Sequence, residues 1–475
     1  MDRLSPLDVS FLYFEDRDTP MHVGSVAVFQ VPGDGFDDER LVEMIQDRIA
    51  FVPRYRQRVR PIPGRLANPV WVDDEEFDLD YHVRRSALPK PGTDEQLHEL
   101  VARVMSRPLD RARPLWEMYL VEGLSGDRFA VLSKTHHAVV DGTSAVDIGA
   151  LILDDTPEPR DTLPDAWQPT PEPGWSALVA GALAETVRRP RSLVDSFRVG
   201  IADVEHTASR AFGALSGVTG AAMRTVVRPA PSLPLNGPIS AQRRFATADT
   251  ALDTYRRIRA AHGGTVNDVV LATVAGALRT WLLTRGEPVR TTTSIRALVP
   301  VSVRRPEEKG SLGNRISSFL VDLPVGEPNP VIRLQRVSHS MQAHKDSGQA
   351  VTAEALVGLA GFAPPTLHAL GARVAAGMSR RVFNLVVTNV PGPQVPLYAS
   401  GAQLLMVYPV VPLAPGQAVA IGVTSYDGGL YFGVNADRDG MPDVDVIAQC
   451  LVDALDELAQ APVRGPDDGE PPAED

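Results

Sequence analysis

Cysteine is almost absent. Cys450 is the single one in 475 residues, so no disulfide can form within the chain. It sits in an apolar helical pattern and reads as inert core, and a reducing compartment, the cytoplasm, is the simpler expectation. Lysine is scarce too: Lys90, Lys134, Lys309 and Lys345 are the only four among 47 basic residues. The formal net charge is -12, which argues against a general nucleic-acid binder. No long uncharged apolar run offers itself as a membrane span, and acidic residues interrupt the N-terminal stretch MDRLSPLDVSFLYFEDRD where a signal peptide needs an apolar region. Several chemistries lack their motifs. There is no Gly-x-Ser-x-Gly elbow, no Walker loop, no dinucleotide fingerprint and no His-Glu-x-x-His. The remaining histidines are scattered, so neither a metal site nor a bound cofactor is expected.

What is present is an ordinary globular composition, 44% hydrophobic and 22% charged, in a chain longer than one core usually organises. The stretch richest in chemistry is RFAVLSKTHHAVVDG, residues 128–142. Phe129, Val131 and Leu132 read as a covered strand that ends in His136 and His137, followed by a turn closed by Asp141 and Gly142. Neighbouring strand residues point to opposite faces, so only one ring can enter a given cleft. A neutral imidazole at a strand end is a natural general base near pH 7. The plainer reading is a core histidine pair capped by a turn aspartate. Asp141 itself has two readings, polarising His137 or pairing with an arginine to hold the turn.

Around this stretch the periodicities predict alternating helices and strands, an α/β (α+β layered) organisation. Strands are expected over 23–30, 116–121, 294–303, 315–323 and 382–388, and a hairpin over 418–435 turning at Asp427-Gly428. Helices are expected over 38–51, 93–106, 145–153, 250–261, 265–284, 330–346 and 352–381. The helix at 93 opens with a capping box, Thr93 and Gln96, and the one at 265 with Thr265 and Asp268. Asp443 is expected to cap a last amphipathic helix. Six prolines between Thr156 and Pro173 mark a linker, and Gly174 to Arg228 is Ala-rich with seven arginines against four acids. That segment suits either an anionic membrane surface or helices packed on a second domain with their arginines solvated. The boundaries that follow are an N-terminal domain at 1–155, a Pro-rich linker with a basic helical segment at 156–238, a C-terminal domain at 239–460, and an acidic, disordered tail at 461–475.

His-His-x-x-x-Asp-Gly resembles the signature of the coenzyme-A-dependent acyltransferase superfamily, which includes chloramphenicol acetyltransferase. Four further stretches are similar to one family within it, the bacterial wax ester synthase/diacylglycerol acyltransferases. They are LSPLDVSFLYFE at the start, Pro114-Leu115-Trp116, Asn267-Asp268, and Thr388-Asn389-Val390-Pro391-Gly392-Pro393, in family order across nearly the whole chain. The last three have a structural reading beside the functional one: Trp116 as an apolar anchor, Asp268 as a helix cap, Pro391-Gly392 as a turn.

The resemblance implies two chloramphenicol-acetyltransferase-like domains, each a mixed sheet with flanking helices, meeting at an active-site channel. It implies acyl-coenzyme A as co-substrate and diacylglycerol, or alternatively a long-chain fatty alcohol, as acceptor. It gives His137 the role of general base, with His136, Asp141 and Gly142 in support, and the superfamily favours an Asp141–arginine pair. Asn267 is a candidate oxyanion donor, and Asn267 and Asp268 are substrate-binding candidates. Arg304, Arg305, Lys309 and Arg315 either form a basic rim for the coenzyme phosphates or are an ordinary solvated loop. Lipid acceptors imply peripheral attachment to the inner membrane face or to lipid droplets. A non-catalytic lipid-binding relative is the reading from another class, and the intact His137 and Asp141 argue against it.

Overall fold

The computed structural model describes residues 2–140, 151–188, 230–302, 316–346, 351–352 and 382–462, apart from 34, 36, 64–66 and 161–166. Two mixed sheets organise these residues. The first has six strands in the order 398–399, 402–410, 22–30, 128–136, 116–124, 83–87. All its pairings are antiparallel except 83–87 with 116–124. The second has seven, in the order 351–352, 316–323, 295–302, 385–391, 419–426, 429–437, 243–251. Its strand 385–391 runs parallel to both neighbours. The α/β architecture read from the alternating periodicities is therefore the observed one.

Local chemistry explains where most elements start. Thr93 Oγ1 accepts from the Gln96 amide while Gln96 Oε1 accepts from the Thr93 amide, closing the expected capping box. Leu97, Leu100, Val101, Val104 and Met105 of that helix are buried as one stripe, against Val26 and Leu132 of the first sheet. Val266–Thr284 is the core helix of the second lobe, buried on most of its faces, with Val270, Val274, Leu278 and Trp281 fully covered. It is also the one helix among the described residues long and apolar enough to cross a membrane, but its burial inside the lobe explains that composition. The hairpin turns where expected, with Asp427 at φ 41° and Gly428 at φ 81°, the left-handed pair that such a two-residue turn needs.

Several expectations are corrected. Asp443 does not cap its helix with its side chain; Oδ2 instead accepts from the Trp281 indole at 3.0 Å and pairs with Arg285. The helix expected from Thr250 starts at Leu252, because 243–251 is an edge strand of the second sheet. The strand expected from Val382 starts at Leu385 and runs to Pro391, so the Thr-Asn-Val-Pro motif lies within it. Of the helix expected over 352–381 only Thr352 is described, and it ends the strand 351–352; the rest of it and most of that over 145–153 lie outside the described residues.

One pairing crosses between the two halves of the chain. Residues 402–410 leave the second lobe and pair with 22–30 of the first sheet, in register from Leu404↔Phe29 to Val410↔Gly24 with one irregularity. A cut based on composition cannot see this long-range pairing, which covers a strand edge that would otherwise stay open. The crossing strand needs room where it passes the second sheet. Gly422 and Gly433 face each other across two strands there, and a Cβ at Gly433 would overlap the carbonyl oxygen of Pro409. Gly433→Ala is expected to destabilise the protein by about 1–3 kcal/mol through this overpacking, read as an earlier urea midpoint with an unchanged slope. Further ties bind the lobes. Tyr408 donates to Asp249 at 3.0 Å, His98 meets Thr247 at 3.2 Å, and the buried Arg243 guanidinium donates to the Asp18 carbonyl.

Candidate active site

The histidine strand ends at His136, and His137 begins a single-turn helix, His137–Val140. The two rings therefore part company, as their alternation predicts. His136 turns into the protein and is buried; His137 stays partly open. His136 pairs across the strands with His22, and its amide donates to the Leu115 carbonyl at 2.9 Å. Pro114-Leu115-Trp116 thus props the histidine strand from one side. Trp116 is fully buried, its indole N–H donates to the Tyr55 carbonyl at 2.7 Å, and its ring stacks on His82. That is the anchoring role its size suggests.

The N-terminal motif LSPLDVSFLYFE explains itself once folded. Ser5 and Asp8 close a capping box on the helix Pro6–Phe14, which lies against the His137 turn. Phe11 stacks on the His137 ring, centroids 4.0 Å apart and planes 16° from parallel. The His137 amide donates to the Met21 carbonyl at 2.9 Å, fixing its backbone. Among the described residues, His137 Nδ1 has no hydrogen-bond partner. Burial among these groups, reinforced by the adjacent His136, lowers the His137 pKa to about 4. The ring is neutral at physiological pH, the state a base requires.

Behind the histidines lies a buried charged layer that the sequence did not announce. Glu15 packs against His136, with Oε2 3.6 Å from Nε2, and Arg111 grips the same oxygen at 2.5 Å. Burial alone would raise the Glu15 pKa, but the neighbouring His136, followed by the hydrogen bond and charge of Arg111, outweighs it and brings it to about 2. Lys134 is fully enclosed; its ammonium donates to the carbonyls of Val104 at 3.1 Å and Arg107 at 2.6 Å and lies 3.5 Å from Glu117. Burial lowers its pKa to about 8 despite Glu117. Burial, then the Lys134 charge, holds His22 well below the ordinary histidine value. Glu15, His22 and Lys134 escaped sequence reasoning. Glu15 lay in a quoted motif without an assigned role, and the other two sit singly in apolar strands with no local signal.

Asn267 and Asn389 meet in the second lobe, where Asn389 Nδ2 donates to Asn267 Oδ1 at 3.1 Å. Two motifs separated by most of that lobe are thereby joined, and both side chains remain partly exposed. Asp268 is buried; Oδ2 accepts from the Thr265 amide at 2.8 Å, so it serves the helix cap. Asp141, Gly142, Arg304, Arg305, Lys309 and Arg315 lie outside the described residues. A recess of about 130 Å³ is lined by Asp37, Arg40, Phe129 and Ala399. Phe129 is seven residues from His136 along the strand, roughly 23 Å away at 3.3 Å per residue, so this recess is separate from the histidine site.

The model of the wax ester synthase/diacylglycerol acyltransferase catalytic domain matches residues 4–270. The chain belongs to the wax ester synthase/diacylglycerol acyltransferase family. As a member it is an acyltransferase, and the model of the family's C-terminal domain matches residues 312–459. Its relatives include Mycobacterium tuberculosis tgs1, a diacylglycerol O-acyltransferase by name, 35% identical over 468 residues with 96% of each chain covered. Another is tgs2 of the same organism, with the same enzyme name, 34% identical over 467 residues, covering 97% of this chain and 99% of the relative. The solved wax ester synthase/diacylglycerol acyltransferase from Marinobacter aquaeolei superposes with a TM-score of 0.67 at 30% identity, covering 96% of this acyltransferase and 98% of that chain. The first condensation domain of the CDA synthetase shares the fold alone, with a TM-score of 0.55 at 18% identity over 97% and 96% of the two chains.

Proposed function

We propose that this acyltransferase moves a long-chain acyl group from acyl-coenzyme A directly to the hydroxyl of diacylglycerol, giving triacylglycerol, with His137 as general base. The observation that carries the reading is a neutral, partly open imidazole held by the Met21 carbonyl at its backbone and by Phe11 at its face. The acceptor hydroxyl gives its proton to His137 as its oxygen attacks the thioester carbonyl. The tetrahedral oxyanion collapses, the carbon–sulfur bond breaks, and the departing thiolate takes the proton back from His137. No acyl-enzyme is needed. A low proton affinity keeps the ring available, and the negative charge developing beside it favours its protonated form in the transition state. Asn267, held by Asn389, supplies a candidate amide donor for the oxyanion. Asp141, Gly142 and Arg304 lie outside the described residues; the family resemblance gives the first two a supporting role beside His137 and Arg304 a contact with the coenzyme phosphates.

Diacylglycerol is favoured over a fatty alcohol by the names of the mycobacterial relatives. A lipid acceptor also calls for a membrane-facing surface, on the inner leaflet or a lipid droplet. The exposed Trp175, with 73% of its surface open on the helix Trp175–Arg188, supports that placement. Leu178 of the same helix packs on Ile62, Val70 and Val72, so the helix is held to the first lobe.

The test offers the purified protein labelled palmitoyl-coenzyme A with diacylglycerol and with hexadecanol in separate reactions. Labelled triacylglycerol from the first is the expected product. Wax ester alone overturns the acceptor assignment, and the absence of both esters overturns the reaction.

A further inference from the structure

Glu15 is linked to the candidate base by two indirect routes. Its backbone N–H caps the helix Pro6–Phe14 by donating to Phe11, the residue whose ring lies on His137. Its Oε1 accepts from the Met21 amide at 3.2 Å, and the Met21 carbonyl in turn accepts from His137. Its Oε2 faces His136 Nε2 at 3.6 Å. His136 Nδ1 accepts from the Ala138 amide at 3.0 Å, which leaves Nε2 as the N–H nitrogen, on the Glu15 side. The carboxylate is held in this pose by the Arg111 guanidinium, through Nε at 3.1 Å and Nη2 at 2.5 Å, and Arg111 also donates to the Leu12 carbonyl at 2.9 Å. On the remaining side His22 Nδ1 lies 4.0 Å from Oε1.

We infer that Glu15 is a positioning residue for the acyl transfer. Its carboxylate faces the Nε2 side of His136, whose other nitrogen holds the Ala138 amide, and it holds the Met21 backbone, whose carbonyl holds the His137 amide. The arrangement has the logic of an outer carboxylate that orients a ring which then orients the working group, with the difference that His136 acts through the backbone amide of the turn and not through a side-chain contact. A buried Glu15–Arg111 pair that merely fastens the first helix would leave the chemistry indifferent to the carboxylate once the fold is intact. The inference rests on His137 being the base, and the experiment separates the two.

Glu15→Gln keeps an oxygen for the Met21 amide and removes the charge facing His136 and Arg111. It is compared with wild type and with His137→Ala in the full chain, using palmitoyl-coenzyme A and diacylglycerol. The readouts are kcat, both KM values and the thermal midpoint. Glu15→Gln is expected to lower kcat about ten- to a hundredfold, the effect of a reacting group displaced by a fraction of an ångström to an ångström, with both KM values within about twofold and a native-like midpoint. A folded Glu15→Gln protein with wild-type kcat overturns the inference. So does a variant that no longer folds, because the carboxylate then serves the scaffold. A fully active His137→Ala protein removes the base assignment itself, and the inference falls with it; an inactive His137→Ala beside a fully active Glu15→Gln defeats the inference alone.

Discussion

Replacing His137 by alanine is expected to lower kcat by about a hundredfold to ten-thousandfold, the range that one positioned general base contributes. KM values should change little, because the ring acts on the proton in transit and not on the ground-state complex. Steady-state kinetics on folded variant protein checks this, and full ester formation would discard the mechanism. A pH signature goes with it. With its folded-state pKa at about 4, His137 stays neutral well below neutrality. The acid limb of kcat/KM should therefore fall near pH 4 to 5 rather than near 6.5, as far as the protein remains folded. Stability follows the same shift. An unfolded chain takes up a proton at this histidine as pH drops through about 6.5, whereas the folded protein resists until about 4. The stabilising preference for the neutral ring is thus fully present above 6.5 and is lost progressively between 6.5 and 4. His22, depressed in the same direction, adds to this loss.

Trp116→Ala is expected to cost about 3–5 kcal/mol, the usual penalty for emptying a fully buried large aromatic site. The Tyr55 carbonyl would lose the indole donor that meets it at 2.7 Å, and the His82 ring would lose the face on which it stacks. Against a total stability of roughly 5–15 kcal/mol this threatens folding outright. Trp116→Phe keeps much of the apolar volume and should cost about 1–3 kcal/mol, chiefly for the orphaned carbonyl. Chemical denaturation of both variants measures the ladder. Equal midpoints for wild type and Trp116→Ala would contradict the anchoring role. Because the Leu115 carbonyl receives the His136 amide, a loosened Trp116 should also lower activity at temperatures where the variant is still folded.

The functional motifs and the local structure differed in how well they could be read. Thr93-Gln96 and Thr265-Asp268 were legible as capping boxes because both partners lie within one helical turn. The Asp427-Gly428 turn was legible for the same reason. Asp443 misled because its competitor for the carboxylate, the Trp281 indole, arrives from another helix. Strand 402–410 was missed since its partner, strand 22–30, comes from the far end of the chain and its central residues do not alternate cleanly. His137 could be singled out from its doublet, but Glu15 could not, because the residues that give it meaning, Arg111 and His136, stand about a hundred positions away.

By itself the sequence determined the α/β alternation, the two capping boxes at Thr93 and Thr265, and the family, and it put His137 forward as the candidate base. Each of these depends on residues close together in the chain or on motifs kept in order. Tertiary structure alone decided that a strand from the second half completes the first sheet. It also decided that a phenylalanine and a glutamate from the opening helix surround the two histidines, and that a lysine is enclosed behind them. Burial, shifted proton affinity and ion pairing arise only when distant segments exclude water together, and no short-range pattern encodes that.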